Sequence, residues 1–435
     1  PAGAWIRGTG WDQAFWSPPI FPTAAELERV SAGHPVLLDR IDGHAIWVNE
    51  RALALAHIER GRADPSGGRI MRDASGAPTG IFLDSAMSLI TRAIPAASDE
   101  TIERQLRRAL AQYAAWGLTS VHDAWAELQV IRAWKSLARR GALTARLYVM
   151  AGAQDSTLTQ TLAAGTRIGH RADLLTIRSV KVVLDGALGS RGAQLSTPYS
   201  DEPGTRGLSL VSDARLDSII ALCAARDFQV NVHAIGDEAN RRLLNAFARA
   251  GAAARRLRFR DEHASLVPDD LLPRFTALGV IASIQPVFVG EYSRFAEARV
   301  GRARVHWVER TRDFVTSGAR IASGTDYPAS DTGDPIATLF SMVTRRGADG
   351  TPRAGWLPDQ RVSVDVALRS MIAGPAYAAF QETELGAITV GRAADFTVLS
   401  GDPYATPPDS LRSLRVLRTI VAGRTVWRRS WAQVR

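Results

Sequence analysis

Residues 179–186 read SVKVVLDG, an apolar run broken by one lysine and ended by an aspartate and a glycine. Three later stretches share this form: QVNVHAIGD at 229–237, RFRDEHA at 258–264 and IASGTDYP at 321–328. In each, a strand-like run gives way to a polar tip, as a buried parallel strand does where it hands over to a loop. An alternating β/α chain carries its chemistry at such tips. Lys181, His233, His263 and Asp326 stand there, and nitrogen and oxygen donors converging from several strands suit a divalent metal.

Lys181 is informative because of what surrounds it in composition. Only two of the 53 basic residues, Lys135 and Lys181, are lysine; the other 51 are arginine. A lysine inside an apolar strand of such a chain points to amine chemistry, since burial favours the neutral amine. A neutral amine can add CO2 and become a carbamate, an anionic oxygen donor. The plainer alternative pairs Lys181 with Asp185 on the same strand face. Period-two spacing puts Lys181, Val183 and Asp185 on one side and Val180, Val182 and Leu184 on the other. Asn231 and His233 likewise oppose Val230 and Val232.

Outward from these strands the chain alternates regularly. A helix opens at Ser98, with acids at Asp99, Glu100 and Glu103 and an apolar stripe at Ile102, Leu106, Leu110 and Tyr113, and stops at Gly117. Strand LTSVHDA, helix AELQVIRAWKSLARRG and strand ARLYVMA follow. Helical stretches then separate the strands around Lys181, His233, His263, GVIASIQP and Asp326. These seven strands stand one short of a closed (β/α)8 barrel, the missing first strand being expected upstream of Pro1. RLRFRDEH fits poorly, with three arginines where a barrel strand should be apolar, so that strand should be short and begin near Phe259.

Two flanking regions look different. Residues 1–95 are rich in Pro, Gly and Trp without sustained alternation, although PVLLDRIDGHAIWVNERALALAHI reads as strand, turn and helix. Residues 381–435, after a barrel over 96–380, contain short alternating strands between glycine turns and no helix, the pattern of a small β-domain.

At 46% hydrophobic and 22% charged, the composition is that of a globular protein. A net charge of +9 could suggest nucleic acid, yet the arginines are interleaved with acids and no nucleic-acid motif is present. No apolar run approaches the roughly 18 residues of a membrane span. The single Cys223, in an apolar helical stretch, is expected to fill core and excludes an intrachain disulfide. The chain opens at Pro1 without an initiator Met and reads as a fragment; a cytoplasmic location is expected, with any export signal lying upstream.

The stretches KVVLDGALGSRGA (181–193), VNVHAIGD (230–237), DEHA (261–264), SGTDYP (323–328) and the tail LGAITVGRAADFTVLSGDP (385–403), closing in VAGRTVW (421–427), together resemble the amidohydrolase superfamily, and closely its YtcJ-like branch, amidohydrolase family 3. The similarity spans most of the chain in preserved order. It implies a metal-bearing barrel joined to a β-sandwich built from both chain ends, with residues 1–95 as an insertion after the first barrel strand. It further implies Lys181 as a carbamylated bridging ligand, His233 and His263 as ligands of the second metal, and Asp326 as a ligand that also moves protons. One departure stands out. The family's H-x-H pair has no counterpart, since none of the eight histidines lies two residues from another. Either the sequence is a piece of a competent enzyme, or the protein is a catalytically silent barrel that binds a ligand with half a metal site.

The chemistry this implies is hydrolysis of an amide-type C–N bond in a small-molecule substrate. One or two divalent ions, zinc by default for these ligands, would activate hydroxide, and Asp326 would act as general base and acid. His44 and Asn49 in DGHAIWVNE, His122 at the tip of LTSVHDA, and Arg191 in ALGSRGAQ are the candidate substrate contacts. Asp185 and Asp237 are expected to support the site rather than ligate. Oligomeric state and substrate identity are not written in the sequence.

Overall fold

The computed structural model describes residues 3–430. The N-terminal region is not irregular: Ile6–Trp11 (β1), Val36–Arg40 (β2), Ala45–Val48 (β3), Gly68–Arg72 (β4) and Pro78–Asp84 (β5) form one sheet in the order β1-β2-β3-β5-β4. The expected strand–turn–helix is in fact strand, turn, strand and helix, because Ala45–Val48 pairs with both β2 and β5. Both faces of this sheet are covered. Leu37, Ile46, Val48 and Phe82 pack in one cluster, and Trp11, Ala45, Ile81 and Leu83 in another. The four residues of β3 are too few for alternation to be read from sequence.

The seven expected barrel strands are all present: Ser120–Ala126 (β6), Arg146–Gly152 (β7), Leu175–Val183 (β8), Gln229–Ala234 (β9), Arg260–His263 (β10), Ile281–Ile284 (β11) and Arg320–Ser323 (β12). They make one parallel sheet in sequence order, with Lys181, Asn231, Arg260, Ile281 and Arg320 in register. Among the described residues β6 and β12 each have one neighbour. The sheet curls. Arg260 on β10 donates to Nδ1 of His122 on β6 at 3.0 Å and lies over the Tyr148 ring of β7, contacts that a flat sheet could not bring together. Chain alternation follows the reading closely, including the helix Asp99–Ala115, whose Ser98 hydroxyl accepts from the Thr101 N–H.

Alternation along β8 also holds. Val180, Val182 and Leu184 face outward into the helix layer with Leu216, Ile219, Leu243 and Cys223. Burying such residues is worth roughly 1.5–3 kcal/mol each and fixes the opposite face inward. Burial pushes the Cys223 thiol up to about 12, in keeping with a core role. The three arginines near β10 sort themselves physically. Arg256 and Arg258 precede the strand and pair with Asp227 and Glu382, whereas Arg260 is buried inside the barrel.

At the C-terminal end Phe396–Leu399 (β13), Val416–Val421 (β14) and Arg424–Arg428 (β15) form an antiparallel sheet. Ala422 and Gly423, both with positive φ, make the two-residue turn between β14 and β15. The stretch AITV at 387–390, expected as a strand, joins no ladder, and Ile388 and Val390 are exposed. Among the described residues this region is therefore a single three-stranded sheet rather than two layers. It is fastened to the barrel by Arg146–Asp395 at 2.6 Å and by the Thr397 and Thr419 hydroxyls donating to the carbonyls of Gly117 and Ala114.

Candidate metal centre and its cavity

The strand tips converge. His233 is next to last in β9 and His263 ends β10, with ring centroids 4.4 Å apart in an edge-to-face arrangement. Asp326 lies three residues beyond β12, and all three line one cavity at the C-terminal end of the barrel strands. Lys181 is 6% exposed and makes no hydrogen bond or ion pair among the described residues, so the pairing with Asp185 is not formed. Asp185 instead accepts three backbone N–H groups, from Gln194, Ile235 and Gly236, and lies 3.5 Å from Nε2 of His233. Burial pushes the Asp185 carboxyl up to about 7 in spite of those three donors.

The electrostatics favour ligand-ready side chains. Burial, together with the charges of Lys181 and the neighbouring imidazoles, holds His233 and His263 well below the usual histidine range, so both are neutral at pH 7. Neutral imidazole is the form that donates a lone pair to a metal. Gln285 fixes the His263 ring, its Oε1 2.8 Å from Nδ1, and Nε2 of His233 is buried without a hydrogen-bond partner. Burial pushes Asp326 up to about 6, with Lys181 opposing that shift. His263 and Asp326 have φ of 87° and 58°, backbone that side-chain-bearing residues seldom adopt. Such strain costs on the order of 1–3 kcal/mol per residue and clusters at functional sites.

The N-terminal sheet completes the cavity. His44, in the turn between β2 and β3, has its ring centroid 4.8 Å from that of His233. Its Nδ1 is 2.6 Å from Asp84 Oδ1 at the end of β5. Burial works against a charged His44, yet the hydrogen bond and charge of Asp84 outweigh it and raise the imidazole above its ordinary value. The fit around Asp84 requires glycine: a Cβ at Gly186 or Gly192 would come within 2.5 or 2.6 Å of Asp84 Oδ2. These two glycines follow the Lys181 strand, so the N-terminal sheet docks against the tip that carries the lysine.

The remaining candidates stand apart. Asn49 caps the helix Glu50–Leu55 and bonds Val36 N and His34 O, which uses its amide fully inside the N-terminal sheet. His122 lies against Arg260 and Tyr148 and is not among the residues lining the cavity. Arg191 is engaged by Asp201 and Glu202 and does not line the cavity. Asp237 opens the helix Asp237–Ala250 and accepts from Ser196. Asp84, Arg40 and Glu291, all at or beside the cavity, were not singled out in the sequence. Asp84 had a usable signal, because GIFLD at 80–84 is the same apolar-run-to-acid ending seen at Asp185. Glu291 had none.

Comparison with known proteins gives this geometry a context. The sequence profile of the amidohydrolase family matches residues 1–427. This chain belongs to the amidohydrolase family. YtcJ of Bacillus subtilis (strain 168), named as an amidohydrolase, is 31% identical over 435 residues, covering 99% of this chain and 81% of its own. The N-substituted formamide deformylase of Arthrobacter pascens is 27% identical, covering 97% of this chain and 79% of its own. A crystal structure of an uncharacterized metal-dependent hydrolase from Pyrococcus horikoshii OT3 superposes with a TM-score of 0.75 at 29% identity, covering 94% of this chain and 79% of that one. The curled parallel sheet with separate flanking sheets fits the TIM-type barrel of an amidohydrolase. Family and neighbour support hydrolysis as the reaction class and a divalent metal as the cofactor.

The residues present suit such an ion in part. Among the described residues no three or more His, Cys, Asp or Glu side chains are grouped so that they could hold a metal ion by themselves. Two neutral imidazoles, one with an orphaned nitrogen, a carboxylate and an unpartnered lysine nevertheless make a nitrogen–oxygen donor set suited to a divalent ion.

Proposed function

We propose that this amidohydrolase cleaves an amide-type C–N bond of a small molecule, with Lys181, His233, His263 and Asp326 as its metal-holding residues. The reading rests chiefly on one observation: His233, His263 and Asp326 share a cavity within the electrostatic reach of an unpaired Lys181. Lys181 would serve as its carbamate, an oxygen donor that arginine cannot supply, and zinc is the default ion. When bound, a divalent cation lowers the pKa of water from 15.7 to about 7 and polarises a carbonyl oxygen.

The chain's own groups divide the remaining work. Asp326 takes the proton of the attacking water and delivers it to the departing nitrogen as the C–N bond breaks, leaving a carboxylate and an amine. His44, held in orientation by Asp84, presents Nε2–H to the substrate's developing negative oxygen. The name of the Arthrobacter pascens relative makes N-substituted formamides the first substrates to try.

The test is formamide hydrolysis by the purified protein alongside its metal content. Activity that is lost on chelation and restored by zinc, cobalt or manganese is expected. Equal activity in metal-free protein would defeat the proposal. A second reading, a barrel that binds without turnover, draws on the open donor set; it predicts no hydrolysis by metal-loaded protein and unaltered ligand binding.

A further inference from the structure

The wall of the cavity formed by the N-terminal sheet and the helix Val289–Val300 has a charge imbalance. Arg40 is 1% exposed and is bound by the carboxylates of Asp12 and Asp42, with Gln13 Oε1 accepting from its Nε at 2.9 Å. Two acids already outnumber this cation. Glu291, the third residue of the helix, adds another; it lines the same cavity as His233 and His263 and is 5% exposed. Among the described residues the Glu291 carboxylate has no hydrogen bond and no ion-pair partner within 4.0 Å. Asp331 adds its own negative field at Glu291, as do Asp12 and Asp42. A second recess, lined by Phe15, Arg294, Asp331 and Asp349 among others, uses Gly290, the residue before Glu291, and again holds two acids to one arginine.

Such an excess is the reverse of the chain's overall balance of +9. An acid in the first turn of a helix is ordinarily favoured by the helix dipole, but that benefit does not require burial. Leaving a carboxylate buried and unpaired costs free energy unless something supplies the missing charge. Burial and the three neighbouring acids hold Glu291 well above the usual carboxylate range, with Arg40 relieving it only in part, so in the empty cavity the group avoids that penalty by keeping its proton. A cation entering the cavity would favour the ionised form and release that proton, and the acids around it would draw the cation in.

We propose that Glu291, in the field of Asp12 and Asp42, forms a subsite for a cationic nitrogen group, an ammonium or amidinium, carried by the substrate. The subsite rests on the hydrolase reading of the same cavity: the scissile bond lies at His233, His263 and Asp326, and the cationic arm lies against Glu291. Arg40 holds Asp12 and Asp42 in place and does not contact the arm.

Benzamidinium and benzamide have nearly the same shape and differ in charge, and benzamidinium is a poor metal ligand. Calorimetric titration of the metal-loaded full chain should find benzamidinium bound at least tenfold more tightly than benzamide. Glu291→Gln should erase that preference without lowering Tm, because the amide keeps the shape of the protonated acid but cannot ionise to meet a cation. Equal binding of the two probes by the native chain would overturn the subsite, and so would a preference retained in a folded Glu291→Gln variant. If the variant fails to fold, the comparison of probes on the native chain decides alone. A Glu291-dependent preference in a protein that hydrolyses no amide keeps the subsite and removes the hydrolase reading. Hydrolysis that is indifferent to substrate charge, with no benzamidinium preference, does the opposite.

Discussion

The barrel sheet and the five-stranded N-terminal sheet face the same cavity with opposite kinds of side chain. From β8, β9 and β10 come groups with few or no partners: among the described residues Lys181 is unpaired, and Nε2 of His233 has no hydrogen bond. From the turn after β2 and the end of β5 come groups already bound to one another, Arg40 with Asp12 and Asp42, and His44 with Asp84. Unsatisfied polar atoms are expensive to bury, and a ligand meeting Nε2 of His233 would relieve that cost. The N-terminal groups are bonded pairs, which hold shape and charge even though one oxygen each of Asp12 and Asp84 has no hydrogen bond among the described residues. The barrel side therefore should govern turnover, and the N-terminal side should govern stability, proton position and substrate choice.

The strongest way to break this division is Lys181→Ala. Activity should fall by at least about 10³-fold, roughly 4 kcal/mol of barrier, with unfolding free energy unchanged or higher, since no partner is lost. Short carboxylic acids should restore part of the rate by standing in for the carbamate; undiminished turnover would dismiss the lysine's role. Arg40→Met tests the other side. It strands Asp12 in a buried site and should cost about 3–5 kcal/mol in urea unfolding. A loss of activity with intact stability would contradict the division.

Asp84→Asn is a finer cut, expected to lower kcat about 10–100-fold, as changes to a group that orients a functional histidine do. It should also move the alkaline limb of the pH profile. His44 is held above its ordinary value by Asp84, so its protonated form persists to higher pH in the native chain and is lost as pH rises. Without the carboxylate that loss should come at lower pH. An unmoved limb would place the titrating proton elsewhere.

The smallest effect concerns an acid the barrel hides away from the cavity. Glu309, 3.0 Å from the Ser265 hydroxyl, is pushed up to about 7 by burial, against 4.5 for an ordinary glutamate. Between those values the folded state holds a proton that the unfolded state has released, so stability should decline as pH rises from 4.5 to 7, by up to on the order of 3 kcal/mol. Glu309→Gln should flatten that decline in thermal or urea unfolding measured across the range.

Much of the barrel was legible because its elements are long and obey simple periods. The helix Asp99–Ala115 carries its cap, its acidic first turn and its stripe in plain order, and β8 alternates from Val180 onward, beyond a register shift next to Ile177. Pattern failed where elements are short. Residues Ala45–Val48 are too few to show alternation, and AITV at 387–390 has the look of a strand with no ladder to join. Around the cavity, His44 could be suspected from DGHAIWVNE, but its partner Asp84 lies 40 residues away. Asn49, in the same stretch, proved to be a helix cap, since a side-chain amide reads alike whether it meets backbone or substrate.

By itself the sequence determined the order of β/α units, the four strand tips that carry donors, and the preference for arginine that makes Lys181 stand out. These are local properties, written in periodicity and residue type within a few positions. Only the tertiary structure decided that a separate N-terminal sheet closes the cavity, that Gly186 and Gly192 leave room for Asp84, and that Glu291 lines the cavity with no ion-pair partner among the described residues. Those outcomes depend on distances between residues far apart in the chain, and such distances are set by how sheets curl and pack rather than by any local pattern.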